Sequence, residues 1–219
     1  IVGINGHVFV TPIDKLFTDY TDLSDRLSKV AGVRAAIPLV EGQAFASSPS
    51  NGSGVLVRGV EGPGLARITG IGSTIRQGSL ADFDTGAGIA IGKRLADSLA
   101  VQVGDTVTLG TPRGAATPFG TAPRVKAYPV KAIFEIGMSE FDLTFVYMPL
   151  TEAQAYFNKP GDVTVIEVFV DDPERVDEAR EAIDLAAERP VILTDWRQRN
   201  RSFFSALEVE RNLMFIILS

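Results

Sequence analysis

Two segments near opposite ends of the chain have the order strand, helix, strand, and they constrain the fold more than any other feature. In the first, residues 8–11 and 33–39 read as strands, and Gly32 stands where a left-handed residue commonly follows a helix. Between them, apolar residues recur at spacings of three and four, the pattern of one buried helix face. These residues are Leu16, Tyr20, Leu23, Leu27 and Val30.

The second segment repeats this order. Residues 163–170 are rich in β-branched residues, as strands are, and residues 191–194 form another candidate strand. Asp172 and Pro173 supply a helix N-cap and a proline at the first helical position. The apolar face of that helix consists of Val176, Ala179, Ile183 and Ala186. We therefore expect the flanking thirds of the chain to share one sheet covered by two helices.

The middle third of the chain has a different pattern of predicted secondary structure, with mostly short strands. Turn-rich stretches at residues 46–54 and 158–161 bound it, and short strands fill it together with a clear helix at residues 93–99. A second candidate helix covers residues 151–156. The pattern predicts a β-rich unit inserted into the flanking α/β unit.

The fold class that follows is α+β. A discontinuous α/β subdomain would comprise residues 1–45 and 161–205, and a β-rich subdomain would comprise residues 46–160. The apolar run at residues 213–218 is too short to cross a membrane, which takes roughly 20 apolar residues. It is either a C-terminal core helix or the stub of a membrane helix. With no initiator methionine or signal peptide in the sequence, we favour an excised extramembrane domain in which residues 206–219 begin a transmembrane helix.

The amino-acid composition argues against several classes of function. A net charge of −6 argues against a nucleic-acid partner, and the lack of cysteine excludes disulfides, thiolate metal sites and thiol nucleophiles. The single histidine, His7, is expected at a surface or interface. The acidic pairs Asp82/Asp84 and Asp171/Asp172 have turn or capping contexts. No catalytic constellation emerges, so we predict no enzyme, no metal and no cofactor; a hydrolase built on His7 or these carboxylates is the alternative from another class.

A glycine-rich stretch at residues 86–94 invites a nucleotide interpretation, which fails on spacing. A phosphate-binding loop needs glycine five residues before its Gly-Lys pair and a hydroxyl residue after it, and those positions hold Ala87 and Arg94. A buried strand at residues 89–91 that turns into a helix is the favoured interpretation.

The loop at residues 110–124 is unusual, with the sequence GTPRGAATPFGTAPR between two strand-like stretches. Loops beyond roughly 12 residues are commonly functional or disordered. Pro112, Pro118 and Pro123 each fix φ and lower the entropy lost on ordering. Phe119, its one large apolar residue, would suit an anchor that enters a pocket of a partner protein. A disordered loop, or one that folds back to bury Phe119, is the alternative.

Several stretches resemble the periplasmic domain of MacB-type permeases, and more specifically the LolC/LolE membrane subunits of the bacterial lipoprotein-releasing ABC transporter. They are residues 91–96, 103–107 and 148–150, and the closing stretch from Trp196-Arg197 through Asn212-Leu213-Met214. The resemblance covers nearly the whole chain, although the short glycine-aspartate motifs are shared across the wider superfamily. It implies a Porter-type α/β subdomain and an inserted Sabre-type subdomain, located on the periplasmic side of the inner membrane.

The loop resembles the Hook, a protruding β-hairpin by which LolC-type subunits, and single permeases that combine the LolC and LolE roles, recruit the periplasmic carrier LolA. LolE-type subunits lack it. The matching residues are Pro112, Thr117, Pro118, Phe119, Gly120 and Pro123. The tip residue is typically methionine in the best-known subunits and is Phe119 here, and the loop is one residue shorter. Both departures preserve an apolar anchor.

Beside the Hook, the family has a polar patch called the Pad. Lys126 matches one basic Pad position, whereas Thr108 and Val125 depart from the expected polar or basic types. Arg124 is a candidate for the missing charge.

The resemblance also implies a division of labour. A separate LolD-type subunit hydrolyses ATP, and this permease, as a homodimer or beside a LolE-like subunit, takes lipoproteins from the inner membrane and passes them to LolA. Movement would arrive as rigid-body rotation through the membrane helices. The alternative is a MacB- or FtsX-type permease in efflux or in regulating a cell-wall hydrolase, which leaves the proline-rich loop unexplained.

Overall fold

The computed structural model of the protein describes residues 6–68, 71–111, 116–117, 120–121, 123–195 and 198–199, with residues 116–117 and 120–121 described by their backbone alone. The described strands are β1 (Val8–Pro12), β2 (Val33–Ser47), β3 (Gly52–Val60), β4 (Ile75–Gly78), β5 (Ile89–Gly92), β6 (Thr106–Thr111), β7 (Ala116–Thr117), β8 (Gly120–Thr121), β9 (Arg124–Phe134), β10 (Phe145–Pro149), β11 (Val165–Val170) and β12 (Val191–Asp195). The described α-helices are α1 (Tyr20–Ser28), α2 (Gly62–Arg67), α3 (Lys93–Leu99), α4 (Ser139–Thr144), α5 (Leu150–Tyr156) and α6 (Val176–Ala187). Single turns of 3₁₀ helix lie at Gly72–Thr74 and Pro173–Arg175.

The first strand-helix-strand unit is confirmed, with a shorter helix than the apolar spacing predicts. Leu23 and Leu27 of α1 are buried, but Leu16 precedes the helix and is exposed, and the neighbouring Phe17 is buried instead. Gly32 has φ +81°, a left-handed conformation in which a side chain would be strained. Gly32 therefore redirects the chain from α1 into β2.

The second unit is confirmed as well. The carboxylate of Asp172 accepts a hydrogen bond of 3.0 Å from the Glu174 N–H, and Pro173 begins the 3₁₀ turn that leads into α6. Val176 and Ile183 of α6 are buried, so the apolar face of the helix packs on the sheet as predicted.

In the middle third, α3 and α5 form where the sequence predicts helices. The glycine-rich stretch contains β5, whose residues are all buried, and it leads directly into α3. The turn-rich stretch at residues 46–54 joins two paired strands, since Ser47 of β2 is opposite Gly52 of β3.

The strands form one main sheet in the order β12-β1-β11-β2-β3-β10-β5-β9-β4. The long β2 changes partner along its length, pairing with β11 through Leu39 and with β3 from Val40 onward. Strand β6 pairs with both β2 and β9. Strands β2, β3, β10, β5, β9 and β6 consequently make a closed ring of pairings, and the flanking strands extend from β2.

A hydrophobic core lies on each face of the sheet, and neighbouring residues of one strand belong to different cores because their side chains point to opposite faces. Val8 and Val10 of β1 belong to one core cluster, which also receives α1, α3, α5 and α6, while Phe9 belongs to a second cluster, which receives α2 and α4. The first cluster includes residues from the flanking and the middle thirds of the chain, so the hydrophobic core is continuous between them. The predicted subdomain boundary after residue 45 falls inside β2, and the division into two subdomains stays a prediction.

In the described part of the chain, no helix is long and apolar enough to cross a membrane. The predicted start of a transmembrane helix at residues 206–219, like Trp196, lies outside the described residues.

Candidate partner-binding site

The loop singled out in the sequence contains a short antiparallel ribbon. We call residues 112–123 the arm. Within it, β7 and β8 pair with each other in a separate two-stranded sheet, with Thr117 opposite Gly120 and Ala116 opposite Thr121. The ribbon thus forms a hairpin whose two connecting residues in sequence are Pro118 and Phe119.

The predicted arm residues fall into three groups. Pro112, Pro118 and Phe119 lie outside the described residues. Thr117 and Gly120 are described as paired backbone, and Pro123 is exposed where the arm returns to β9. The backbone pairing places Thr117 and Gly120 on either side of the tip, while the role of these residues in binding stays a prediction.

The arm connects the ends of two paired strands, and we call this pair, the β6–β9 ladder, the base of the arm. This ladder runs without a register shift from Thr106 opposite Pro129 to Thr111 opposite Arg124. Val107 and Leu109 of β6 are fully buried, and burying such a side chain contributes about 1.5–3 kcal/mol. Because β6 also pairs with β2, the base is fixed to the main sheet at the point where the arm begins.

Arg124, the first residue of β9, is attached to the end of α5. Its Nη1 donates hydrogen bonds to the main-chain carbonyls of Ala155 and Tyr156, the second at 2.9 Å. Carbonyls in the last turn of a helix lack partners within the helix, so a guanidinium there satisfies them. Arg124 is half-buried and carries its charge at the foot of the arm.

Lys126 is more exposed, with 49% of its side chain accessible, and its ammonium group lies 2.5 Å from Oε1 of Glu152 on α5. The same carboxylate oxygen accepts a hydrogen bond of 2.8 Å from the Tyr128 hydroxyl. Burial alone would raise the pKa of Glu152, but the hydrogen bonds from Lys126 and Tyr128 outweigh it and hold the pKa below its ordinary value. Burial, and then the hydrogen bond to Glu152, raise the pKa of Tyr128. The Pad candidate Lys126 is therefore paired with a carboxylate that stays ionised.

The outer half of β9 is open to solvent on both faces. Val125, Lys126 and Ala127 are all exposed, and Val125 is 67% accessible although it is aliphatic. A strand with one buried face buries alternate residues, as β9 does from Tyr128 to Ala132. This stretch therefore offers an apolar and a basic side chain beside the arm.

The structure gives structural roles to two of the groups that a hydrolase would need, His7 and Asp84. His7 is 2% exposed, and its Nδ1 accepts a hydrogen bond of 2.9 Å from the Val170 N–H; the expectation of a surface or interfacial histidine was wrong. It is buried because β1 pairs with β11 immediately after it. Asp84 accepts a hydrogen bond from the Gly62 N–H at the start of α2. Within the ranges that the structure describes, no group of three or more His, Asp or Glu side chains could hold a metal ion.

Glu152 and Tyr128 are site residues that sequence reasoning missed. A weak signal was available for Glu152, since it is the acidic residue in the first turn of a helix that the sequence predicts. Its contact with Lys126 joins residues 26 positions apart on a helix and a strand, and no local pattern indicates it.

Residues 4–186 match the family of MacB-like periplasmic core domains, and the chain belongs to this family. Solved members of the fold agree. The periplasmic region of MacB from Actinobacillus actinomycetemcomitans superposes with a TM-score of 0.53 at 10% identity, covering 92% of this chain and 94% of that one. The extracellular domain of the noncanonic ABC-type transporter YknZ from Gram-positive bacteria gives a TM-score of 0.54 at 14% identity, covering 87% and 98%.

Among curated proteins, the chain is similar to subunits named lipoprotein-releasing system transmembrane proteins. LolC of Neisseria meningitidis is 28% identical over 221 residues, which cover 100% of this chain and 53% of that protein. LolC of Xylella fastidiosa is 27% identical over 188 residues, covering 85% and 45%. LolE of Haemophilus influenzae is 25% identical over 155 residues, covering 70% and 37%. The chain spans about half the length of the curated LolC relatives it matches.

Proposed function

We propose that this chain is the periplasmic domain of an inner-membrane ABC transporter permease that releases lipoproteins, and that it recruits the carrier LolA through the arm. The permease would be of the LolC type or of the type that combines the LolC and LolE roles. Similarity to LolC subunits along the whole chain supports the class of transporter. The carrier-binding role is our own inference from the arm.

The observation that carries this proposal is the β7–β8 ribbon at the end of the β6–β9 ladder. It forms a hairpin that is separate from the main sheet, while the ladder beneath it is tied to the core through β2. A rigid support with an apolar tip lowers the entropy that binding costs, since few groups have to be ordered. In this proposal Phe119 is the anchor, and Pro112, Thr117, Pro118, Gly120 and Pro123 shape the arm around it.

The exposed stretch of β9 extends the proposed surface. Lys126 and Arg124 supply positive charge next to the arm, and Val125 supplies an exposed apolar contact. Because Glu152 pairs with Lys126, the charge that a carrier meets there is partly neutralised and its position is fixed. Such contacts at the rim of an interface contribute more to orientation and association rate than to affinity.

The domain itself would do no chemistry in this scheme. ATP hydrolysis is assigned to a separate LolD-type subunit, and the permease pairs either with itself or with a LolE-like subunit to handle the lipoprotein. The roles of His7 and Asp84 within the fold support a non-catalytic domain. A MacB- or FtsX-type permease would share this fold, but the similarity in sequence to LolC and LolE subunits favours lipoprotein release.

A charge at the tip of the arm tests the proposal. Phe119→Glu should abolish LolA binding in a titration. It should leave the thermal unfolding curve unchanged, because the proposed anchor contacts the carrier and not the core of its own domain. Leu185→Glu is the matched control. Leu185 is an exposed apolar residue on α6, which lies between β11 and β12 in the chain and is not part of the β6–β9 ladder that carries the arm. Normal LolA binding by Phe119→Glu would refute the assignment of the arm. Capture of an efflux adaptor or a hydrolase activator in place of LolA would favour the alternative permeases.

A further inference from the structure

Four charged side chains come together where β2 pairs with β3 and β11, and two of them, Arg58 and Glu167, are fully buried. Arg58 of β3 is 1% exposed and Glu167 of β11 is 0% exposed, and they form an ion pair. Glu41 of β2 pairs with Arg58 at 3.2 Å and, through its other oxygen, with Arg199. Two positive and two negative groups balance, as buried charges must. We call Glu41, Arg58, Glu167 and Arg199 the ionic cluster.

The hydrogen bonds of the ionic cluster form a chain with two distinct ends. At one end, the Gly6 N–H donates to Oε1 of Glu167 at 2.5 Å. The Oε2 atom of Glu167 then accepts from Arg58, whose Nε donates to Oε2 of Glu41. At the other end, Oε1 of Glu41 accepts from Nη2 of Arg199. Gly6 lies two residues before β1 and Arg199 lies four residues after β12. These strands also pair directly, with Val8 opposite Asp195, so the relay is a second connection between the two segments, through charged side chains rather than through the ladder.

Aromatic rings hold the two arginines in place. The Arg58 guanidinium lies 5.3 Å from the ring centre of Phe145 and donates to the Tyr147 hydroxyl at 3.2 Å. The Arg199 guanidinium lies 4.2 Å from the ring centre of Phe9 in β1. Burial alone would lower the pKa of Arg58, but the charge of Glu167 raises it, and burial lowers the pKa of Arg199 to about 10. Both arginines therefore remain charged at neutral pH.

We infer that the ionic cluster is a coupling element, through which a displacement of the segment after β12 is transmitted to the segment before β1. Glu167, Arg58 and Glu41 each have partners on two sides, while Gly6 and Arg199 are the ends of the relay, so a shift of one link leaves a charge of Arg58 or Glu167 incompletely paired. Such an arrangement has few intermediate states, because an unpaired charge in the interior is costly. In the proposed permease these two segments would receive the movement from the membrane; that reading, unlike the coupling itself, rests on the proposed function.

The Gly6 amide is a direct reporter of coupling, since Glu167 accepts its hydrogen bond at the end of the relay opposite to Arg199. Amide hydrogen exchange of the ²H,¹⁵N-labelled chain should be followed by NMR in Arg199→Met. We expect exchange at Gly6 to accelerate about tenfold relative to Val107, a buried residue of the β6–β9 ladder outside the ionic cluster. If Gly6 is unchanged, or if Gly6 and Val107 accelerate equally, the coupling is refuted.

Two further variants sharpen the test. Arg76→Met removes an arginine from the exposed ion pair with Glu135 and should leave the Gly6-to-Val107 ratio unchanged; an equal rise in this control would also refute the coupling. Glu41→Gln keeps the shape of the side chain and removes the charge that joins the two arginines. It should raise the ratio as Arg199→Met does, and it gives the same readout if Arg199→Met fails to fold. Carrier binding plays no part in the measurement, so the coupling and the proposed function can fail separately.

Discussion

Lys126 on β9 and Glu152 on α5 form an ion pair whose nitrogen and oxygen lie 2.5 Å apart, and this pair ties the foot of the arm to the helix beside it. The attachment is doubled by Arg124, which holds the carbonyl end of the same helix. Because β9 contacts α5 through both Arg124 and Lys126, the position at which the arm joins β9 is fixed relative to the sheet. The arm therefore begins from a defined position even though it lies outside the main sheet.

Removing the carboxylate of Glu152 should make stability less dependent on pH. The pKa of Glu152 in the folded protein is below its ordinary value of 4.5, so the ionised group stabilises the fold above the unfolded pKa and loses this effect as pH falls through the folded pKa. We expect Glu152→Gln to be less stable than the wild type in urea at pH 7, with the difference shrinking toward pH 3. A difference that grows on acidification would contradict this assignment.

Neutralising Lys126 should weaken carrier binding without unfolding the domain. In Lys126→Met the aliphatic stem remains, while the positive charge beside the arm is lost and Glu152 retains its bond from Tyr128. Under the proposed function we expect the association rate constant for LolA to fall several-fold, with a smaller dependence on salt. Lys131→Met is the control, because Lys131 is an exposed lysine on the same strand, five positions farther from the arm. Equal effects of the two variants would remove Lys126 from the binding surface.

Breaking the ionic cluster at its centre should be strongly destabilising. Arg58→Met leaves Glu167 buried with one partner fewer, and removing one member of a buried pair typically costs about 3–5 kcal/mol of unfolding free energy. The exposed pair of Arg76 and Glu135 offers the comparison, since Arg76→Met should cost no more than about 1 kcal/mol. Urea denaturation measures both. Comparable losses in the two variants would show that the ionic cluster contributes no more than a surface pair.

A single added methyl group at Gly59 should push α5 away from β3. A Cβ built there would lie 2.0 Å from Cβ of Ala153, a contact that requires the helix to shift. We expect Gly59→Ala to lower the unfolding free energy by about 1–3 kcal/mol, as overpacking does. Gly72→Ala is the control, because nothing lies within 4 Å of the corresponding Cβ, and it should change stability by less than about 0.5 kcal/mol. The interpretation fails if both substitutions are equally tolerated.

Much of the fold was predictable because its signals are local. The helix α3 begins at Lys93 and ends at Leu99, as the sequence predicts, and Asp172 caps the following turn in the expected manner. The length of β2 was not predictable, since the strand continues through Pro38 and Gly42, residues that usually interrupt one. What sustains β2 is its exchange of β11 for β3 as a partner, and such pairing depends on distant parts of the chain.

The candidate site likewise has features with a local sequence signal and features that depend on distant parts of the chain. Its proline-braced loop and Lys126 are visible in the sequence, whereas the pairing of Lys126 with Glu152 depends on how α5 packs against the sheet. The ionic cluster left a signal that went unused. Glu167 stands in the middle of the apolar strand β11, and a charge in such a place indicates a buried partner. That partner is Arg58, which lies 109 positions away in the sequence, so only the fold shows which residue it is.

The carrier-docking claim is tested most directly by exchanging the arm for a minimal turn. Thr111 and Arg124 are the last pair of the β6–β9 ladder, so residues 112–123 can be replaced by Asn-Gly, which closes a two-residue hairpin. Binding of LolA to this variant and to the unaltered chain should then be compared by calorimetric titration, with thermal unfolding as the check on folding. The proposal predicts an unfolding curve like that of the unaltered chain and no detectable LolA binding; a folded variant that binds LolA with the original affinity would contradict it.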